Sequence, residues 1–181
     1  MQGSVFRCRQ GVRIRAPLTE LAVIGNAFHR LRRALIAGRV LGWLTPGGYL
    51  ALCWSSGPLA GSQDWQRTLA ATVDRWRAAL GAEDRVPAGW DLARQRRPDL
   101  RVLSDAGFEA AGRREFAVEH RWSLAELAGY IRSTSVLPAA VLGGQADAFD
   151  ADLAARLGPH GDGGAFTETV SFAYELARKP A

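Results

Sequence analysis

The stretch Leu21-Ala-Val-Ile-Gly-Asn-Ala-Phe-His29, followed by Arg39-Val-Leu-Gly-Trp-Leu-Thr-Pro-Gly-Gly-Tyr-Leu-Ala-Leu-Cys-Trp54, decides the fold of this chain. Its short apolar runs, residues 21–24 and 49–54, are typical of strands that are buried on both faces of a parallel sheet. A strand, a helix and a second strand with short connections predict a right-handed crossover between parallel strands.

The segment between the two runs has helical spacing. The apolar positions that we expect on its core-facing side are Leu31, Ala34, Leu35, Leu41 and Leu44. The Thr-Pro-Gly-Gly sequence at residues 45–48 is expected to end this helix, because proline and glycine are poor helix formers.

Further elements follow from the periodicity of the remaining sequence. In chain order we expect a helix over 64–80, a surface excursion over 82–99, a strand over 108–119, a helix over 123–132, a helix over 138–157 and a strand over 167–176. Ser123 and Glu126 have the spacing of a capping box, and Gly143-Gly144 is expected to interrupt the last helix. In the last strand, Val170, Phe172, Tyr174 and Leu176 are expected on one side.

Composition indicates a folded protein of a reducing compartment. The chain has 181 residues, of which 48% are hydrophobic and 23% charged, as in ordinary globular domains. Cys8 and Cys53 are too few for a disulfide framework, so we expect Cys53 to be a buried free thiol and the protein to be cytoplasmic. The sequence favours neither a membrane span nor a signal peptide. We expect a basic arm over residues 1–16 and one domain over residues 17–181.

The formal charge of +5 is concentrated at the N-terminus. Residues 1–40 contain eight arginines and one acidic residue, Glu20, while the remainder is nearly neutral. No aromatic residues alternate with these arginines, so nucleic acid is not favoured as a partner. An acidic partner of the arm, met by Arg7, Arg9, Arg13 and Arg15, stays open.

Three short motifs carry a family resemblance. Ile24-Gly-Asn-Ala-Phe-His29 resembles the segment after the fourth strand of class I S-adenosylmethionine-dependent methyltransferases, in the small-molecule branch with the trans-aconitate and ubiquinone-biosynthesis-like enzymes. Arg39-Val-Leu with Pro46-Gly47-Gly48 resembles the entry into the fifth strand, and Asp105-Ala-Gly-Phe108 the entry into the sixth. The resemblance covers residues 17–177. It implies an α/β fold with a partial Rossmann-like sheet, made of the family's strands four to seven with flanking helices, the first strands being absent.

The cofactor-binding start of the family is not found. Family members begin with a strand and a G-x-G-x-G turn whose backbone approaches the cofactor, and a later carboxylate holds the ribose hydroxyls. Neither pattern precedes residue 21, and Gly143-Gly144 lies downstream in a turn. We therefore expect a truncated methyltransferase-like domain that is inactive alone.

The resemblance also implies site residues. Asn26, Ala27, Phe28 and His29 would lie at the mouth of the S-adenosylmethionine site. His29 suits a general base by its pKa, and the alternative is a histidine that orders the turn.

A substrate pocket is expected from four further residues. Trp54 and Ser55 end the fifth strand, while Trp122 and Tyr130 belong to a later insertion; for each the alternative is ordinary packing. A metal site is not expected, because the three histidines are far apart in sequence and neither cysteine has a close partner of ligand type.

Three interpretations stay open. In the first, the chain is a methyltransferase-family protein acting on a small-molecule methyl acceptor, and its start is assigned too late or its gene is shortened. Alternatively, it is a non-catalytic protein that pairs through its open sheet edge, either as a homodimer or with a complete methyltransferase. The third interpretation is a binding protein that uses the basic arm.

Overall fold

A computed structural model describes the backbone of residues 5–7, 13–15, 18–85 and 95–181, and the side chains of residues 18–84 and 95–181. The side chains of the expected basic arm, Cys8 and residues 86–94 of the expected excursion lie outside the described residues. Two compact units make up the chain. The first comprises Met1–Ser55, Gly89–Phe116 and Phe172–Ala181, and the second comprises Ser56–Ala88 and Ala117–Ser171. The expected boundary at residue 16 stays a prediction.

The predicted helices and strands occur in the predicted order, and the structure adds two short N-terminal strands and a helix over Asp99–Asp105 that were not predicted. In chain order, the described helices and strands are β1 (Val5–Arg7), β2 (Arg13–Arg15), β3 (Thr19–Gly25), α1 (Arg33–Trp43), β4 (Leu44–Ser55), α2 (Asp64–Ala79), α3 (Asp99–Asp105), β5 (Glu109–Ser123), α4 (Leu124–Ser133), α5 (Ala139–Leu142), α6 (Ala146–Leu157) and β6 (Ala165–Arg178). No helix of residues 18–84 and 95–181 is long and apolar enough to cross a membrane.

The main sheet has four strands in the order β3-β4-β6-β5, while β1 and β2 form a separate antiparallel pair. β3 and β4 are parallel, with Leu21 opposite Tyr49 and Gly25 opposite Cys53. β6 is antiparallel to β4, so the last strand of the chain lies between two earlier ones. This mixed sheet confirms the predicted α/β class with a partial Rossmann-like sheet.

The core of the first unit lies between α1 and one face of the sheet. Ala37 and Val40 of α1 are 0% and 2% exposed, and they belong to the same buried cluster as Leu50 and Leu52 of β4. The predicted core-facing side is confirmed for Leu41 and Leu44, which belong to or pack on this cluster, and it was wrong for Leu31, Ala34 and Leu35, which are exposed.

The Thr-Pro-Gly-Gly sequence does not end the helix. Helix α1 ends at Trp43, Leu44 begins β4, and residues 45–48 lie inside that strand. Gly47 has φ 78°, which glycine adopts without strain. A side chain on Gly48 would lie 2.9 Å from the carbonyl oxygen of Thr45, so this position is restricted to glycine.

The second unit has its own helical core. Its fully buried side chains include Leu69, Leu127, Ile131, Leu137, Phe149 and Leu153. The predicted capping box is confirmed, because Ser123 accepts a hydrogen bond from the Glu126 backbone and the Glu126 carboxylate accepts one from the Ser123 backbone. The predicted interruption at Gly143-Gly144 is also confirmed as a turn of 3-10 helix between α5 and α6.

Strand β6 changes its buried side along its length. Phe166, Glu168 and Val170 are buried in the second unit, whereas Ala173, Glu175 and Ala177 are buried in the first. The predicted side that joined Val170 to Phe172, Tyr174 and Leu176 was wrong, because those last three are only half-buried. The change falls where the strand passes from one unit to the other.

Candidate functional site

A cavity of about 270 Å³ lies in the first unit at the carboxyl ends of β3 and β4. Its lining residues are Gly25, Asn26, Cys53, Trp54, Ser55, Phe116, Phe172, Ala173 and Tyr174. Open α/β sheets bind their ligands outside the carboxyl ends of parallel strands. The cavity is therefore the candidate site of this unit.

Asn26 joins the ends of the two parallel strands. Its backbone N–H donates to the Cys53 carbonyl at 2.8 Å, its Nδ2 donates to Ser55 Oγ at 3.1 Å, and its Oδ1 accepts from the Ser55 backbone at 3.1 Å. Its φ of 43° is in the left-handed region, which asparagine tolerates better than most residues. Asn26 therefore shapes the rim, and the Ser55 hydroxyl hydrogen is left to donate to a ligand.

Two phenylalanines form one wall of the cavity. The rings of Phe116 and Phe172 stack with centroids 5.4 Å apart and planes 14° apart. Phe116 is 52% exposed, so this stack presents an apolar surface to solvent. Stacked aromatic rings of this kind favour a planar apolar ligand.

A charged residue covers another aromatic residue of the lining. The Arg113 guanidinium lies 5.3 Å from the Trp54 ring centroid, and its Nη1 donates to buried Glu175 at 2.7 Å. The hydrogen bond to Glu115 raises the pKa of Arg113 above its usual value; burial opposes this and Glu175 adds to it. Arg113 therefore stays charged and fixes one face of the Trp54 indole.

Three of the six residues predicted from the first unit line the cavity, namely Asn26, Trp54 and Ser55. Ala27, Phe28 and His29 are not among its lining residues. Phe28 is 4% exposed and packs in the core, and His29 Nε2 accepts a hydrogen bond from Arg30 Nε at 3.2 Å. The contact of these residues with S-adenosylmethionine stays a prediction.

The predicted pocket residues of the second unit contact each other. The rings of Trp122 and Tyr130 have centroids 5.4 Å apart. Trp122 Nε1 donates to the carboxylate of Glu168 at 2.7 Å. Burial raises the pKa of the Tyr130 hydroxyl, and the charge of Glu168 raises it further. Tyr130 is therefore a neutral hydrogen-bond donor at physiological pH.

Glu168 was not predicted as a functional residue. It is 3% exposed, and its second oxygen accepts from Gln66 Nε2 at 2.8 Å. Its place between Phe166 and Val170 in an alternating strand is the sequence signal that marks it as buried. Phe116, Phe172 and Tyr174 of the cavity were also missed as site residues, because they were assigned only to strand faces.

The cavity is a poor fit to S-adenosylmethionine, the cofactor that the resemblance implies. No aspartate or glutamate is among the nine described residues that line it, so it has no carboxylate to hold the ribose hydroxyls. Its aromatic walls and the Ser55 hydroxyl fit a planar apolar molecule instead. Among residues 18–84 and 95–181, no three His, Cys, Asp or Glu side chains form a metal-binding group.

Solved structures with a similar fold include two proposed methyltransferases and a cyclase. The chain is 16% identical to a proposed methyltransferase of Bacillus halodurans, with 90% of this chain and 70% of that chain covered and a TM-score of 0.44. It is also 16% identical to a proposed type II methyltransferase of Anaeromyxobacter dehalogenans, with 91% of this chain and 66% of that chain covered and a TM-score of 0.49. Its identity to the cyclase SpnF is 18%, with 92% of this chain and 51% of that chain covered and a TM-score of 0.38. No protein-family model and no curated protein sequence matches. The likeness is one of fold, and the chain spans about two thirds or less of the length of the second and third of these proteins.

Replacing Asn26 with alanine is expected to destabilise the first unit by about 2–3 kcal/mol. The change removes two side-chain hydrogen bonds, worth about 1 kcal/mol each, and puts alanine in a left-handed conformation that it tolerates less well than asparagine does. Asn26→Gly is the matched control, because glycine keeps the conformation without strain and should cost only about 1–2 kcal/mol. Urea unfolding measures both, and equal midpoints for the two variants would contradict the role of backbone conformation.

Proposed function

We propose that this chain is a methyltransferase-family protein whose strand-end cavity binds a small, planar, largely apolar methyl acceptor. The observation that carries the proposal is the cavity at the ends of β3 and β4, with its stacked Phe116 and Phe172 and the available Ser55 hydroxyl. The methyltransferase-type sheet supports methyl transfer from S-adenosylmethionine as the reaction class. The free, half-buried thiol of Cys53 supports a reducing compartment, and we place the protein in the cytoplasm.

Positioning is what this chain contributes to such a reaction. Methyl transfer from a sulfonium is an in-line displacement, and holding two reactants in line is worth about 7–11 kcal/mol. In the proposal, the phenylalanine stack and Trp54 fix the plane of the acceptor and exclude water. Ser55 Oγ donates a hydrogen bond that sets the acceptor's direction within this plane. No step is assigned through the cofactor, because the described lining does not fit it.

Calorimetric titration with 1-naphthol tests acceptor binding, since this probe is planar and has one polar atom for Ser55. Phe172→Ala should weaken binding about three- to tenfold, the value of one aromatic stack. Tyr49→Ala is the matched control, because Tyr49 is a half-exposed aromatic residue of β4 outside the cavity lining, and binding should be unchanged. An equal loss in both variants would contradict binding in the cavity.

A second titration uses S-adenosylmethionine and S-adenosylhomocysteine with the same protein. Binding of either supports methyl transfer by this chain. If naphthol binds and neither of these does at millimolar concentration, the acceptor site stands and the proposed catalysis does not.

A further inference from the structure

A second cavity of the first unit is lined by the start of α1, by α3 and by the residue two positions before α3. Its volume is about 320 Å³, which is within the range of small-molecule sites, and it shares no described lining residue with the strand-end cavity. The described lining residues are Arg32, Arg33, Ala34, Leu35, Arg97 and Val102. Half of these are arginines and none is acidic, so the described lining favours an anion.

Two aspartates hold two of the lining arginines in place. Arg33 Nη1 donates to Asp99 Oδ1 and to the Arg97 carbonyl, each at 2.8 Å, and Asp99 is 6% exposed. Arg97 Nη2 donates to the carboxylate of Asp105 at 2.8 Å. These contacts hold both guanidinium groups before a ligand binds, so binding does not have to order them.

The aspartates do not neutralise the cavity. Asp105 also pairs with Arg101, at 3.0 Å, so two arginines share its single charge. Arg32 is exposed and makes no hydrogen bond or ion pair within residues 18–84 and 95–181. Four arginines thus face two aspartates here, which leaves an excess of two positive charges. Guanidinium groups stay charged in proteins, and their planar donors match the oxygens of a phosphate group.

Apolar side chains complete the described lining. Leu35 is 42% exposed and Val102 is 2% exposed, so the apolar part of the wall extends from the surface to the core of the unit. A short carbon chain attached to the anion would remove the exposed part of Leu35 from water, which is favourable. The lining therefore suits a ligand with one charged end and one apolar end.

We propose that this cavity binds a small phosphate monoester with a short aliphatic group. Arg32 and Arg97 donate to the phosphate oxygens, while Leu35 and Val102 contact the aliphatic group. A phosphate monoester carries close to two negative charges at neutral pH, which matches the excess of arginine charge. A carboxylate carries only one charge and therefore matches less well.

Calorimetric titration with monobutyl phosphate at low ionic strength tests the proposal. This probe has a phosphate and an aliphatic group but no aromatic ring for the strand-end cavity. Arg32→Gln should raise its dissociation constant about three- to tenfold, because a charge-assisted contact is lost and no ion pair within the described residues is broken. Arg114→Gln is the matched control, since this exposed arginine of β5 is outside the described lining, and binding should be unchanged. No binding at millimolar concentration, or an equal loss in both variants, would overturn the proposal.

Two related probes test the two ends of the ligand separately. Inorganic phosphate should bind about three- to tenfold more weakly than monobutyl phosphate, and Leu35→Ala should remove most of this difference without changing the affinity for inorganic phosphate. Equal affinities of the wild-type protein for these two probes would overturn the apolar contact. Binding of 1-butanol as tightly as its phosphate ester would overturn the anion site.

Chemical labelling locates the site in the unmodified chain. Phenylglyoxal reacts with accessible arginines, and peptide mapping should show that saturating monobutyl phosphate slows the labelling of Arg32 but not that of Arg114. Unchanged labelling of Arg32 would overturn the assignment of the site. Neither the titrations nor the labelling uses a methyl acceptor or S-adenosylmethionine, so their failure leaves the proposed function of the strand-end cavity untouched.

Discussion

Replacing Phe149 with alanine is expected to destabilise the second unit by about 3–5 kcal/mol. Phe149 is fully buried in α6, and its ring packs edge to face on Trp76 with centroids 5.7 Å apart. The substitution loses the transfer free energy of the ring and leaves a cavity, because close-packed surroundings relax only partly. The loss is a large share of the stability of a domain of this size.

Urea unfolding followed by far-UV circular dichroism measures this effect. Phe116→Ala is the matched control, since this phenylalanine is 52% exposed and should cost less than about 1 kcal/mol. Equal midpoints for Phe149→Ala and the wild-type protein would contradict the assignment of Phe149 to the core.

Glu168→Leu is the second substitution with a large expected effect, about 2–6 kcal/mol. It leaves Trp122 Nε1 and Gln66 Nε2 without their acceptor, and each unsatisfied buried donor costs about 1–3 kcal/mol. Removing one partner of a buried polar network is destabilising even where replacing the whole network by apolar residues is not. Glu168→Gln keeps the shape and one acceptor oxygen, so it should cost less.

A double-mutant cycle separates the lost hydrogen bond from other causes. Trp122→Phe should cost less in the Glu168→Leu protein than in the wild type, because the indole donor is then already without its acceptor. Unfolding free energies from urea titration provide the four corners of the cycle. Strict additivity would show that the indole and the carboxylate are not coupled.

The sequence predicted most of the elements because each has a strong local signal. β3 and β4 are short apolar runs, and α2 has apolar residues at helical spacing from Trp65 to Val73. The capping box at Ser123 depends only on residues three positions apart. Local chemistry of this kind acts before tertiary contacts form and is therefore visible in the sequence.

The errors arose where tertiary packing overrides the local pattern. The leucine spacing suggested a face of α1 that includes Leu31 and Leu35, but the residues that the sheet buries in this helix are Ala37 and Val40. The change of buried side in β6 depends on a passage between units that no periodicity shows. Residues 45–48 were expected to end a helix, yet a strand accommodates two glycines where little space is left for a side chain.

The candidate site was predictable only in part. Trp54 and Ser55 could be found because they end an apolar strand, and Asn26 because the motif of residues 24–29 resembles a family segment at the end of a parallel strand. Phe116 and Phe172 come from distant parts of the chain and meet only through the sheet order. Their pairing across 56 positions follows from the insertion of β6 beside β5, which the sequence alone does not give.

The passage of β5 and β6 through both units has a consequence for dissecting the protein. The chain crosses between the units four times, after Ser55, Ala88, Phe116 and Ser171. A single proteolytic cut therefore cannot release either unit, and a gene fragment that encodes one of them must rejoin separated segments with new linkers. Evolution or engineering can exchange the second unit only by replacing its two segments, Ser56–Ala88 and Ala117–Ser171, together. The outer ends of these segments are held side by side, because the Ser56 backbone donates to the Ser171 carbonyl at 2.8 Å.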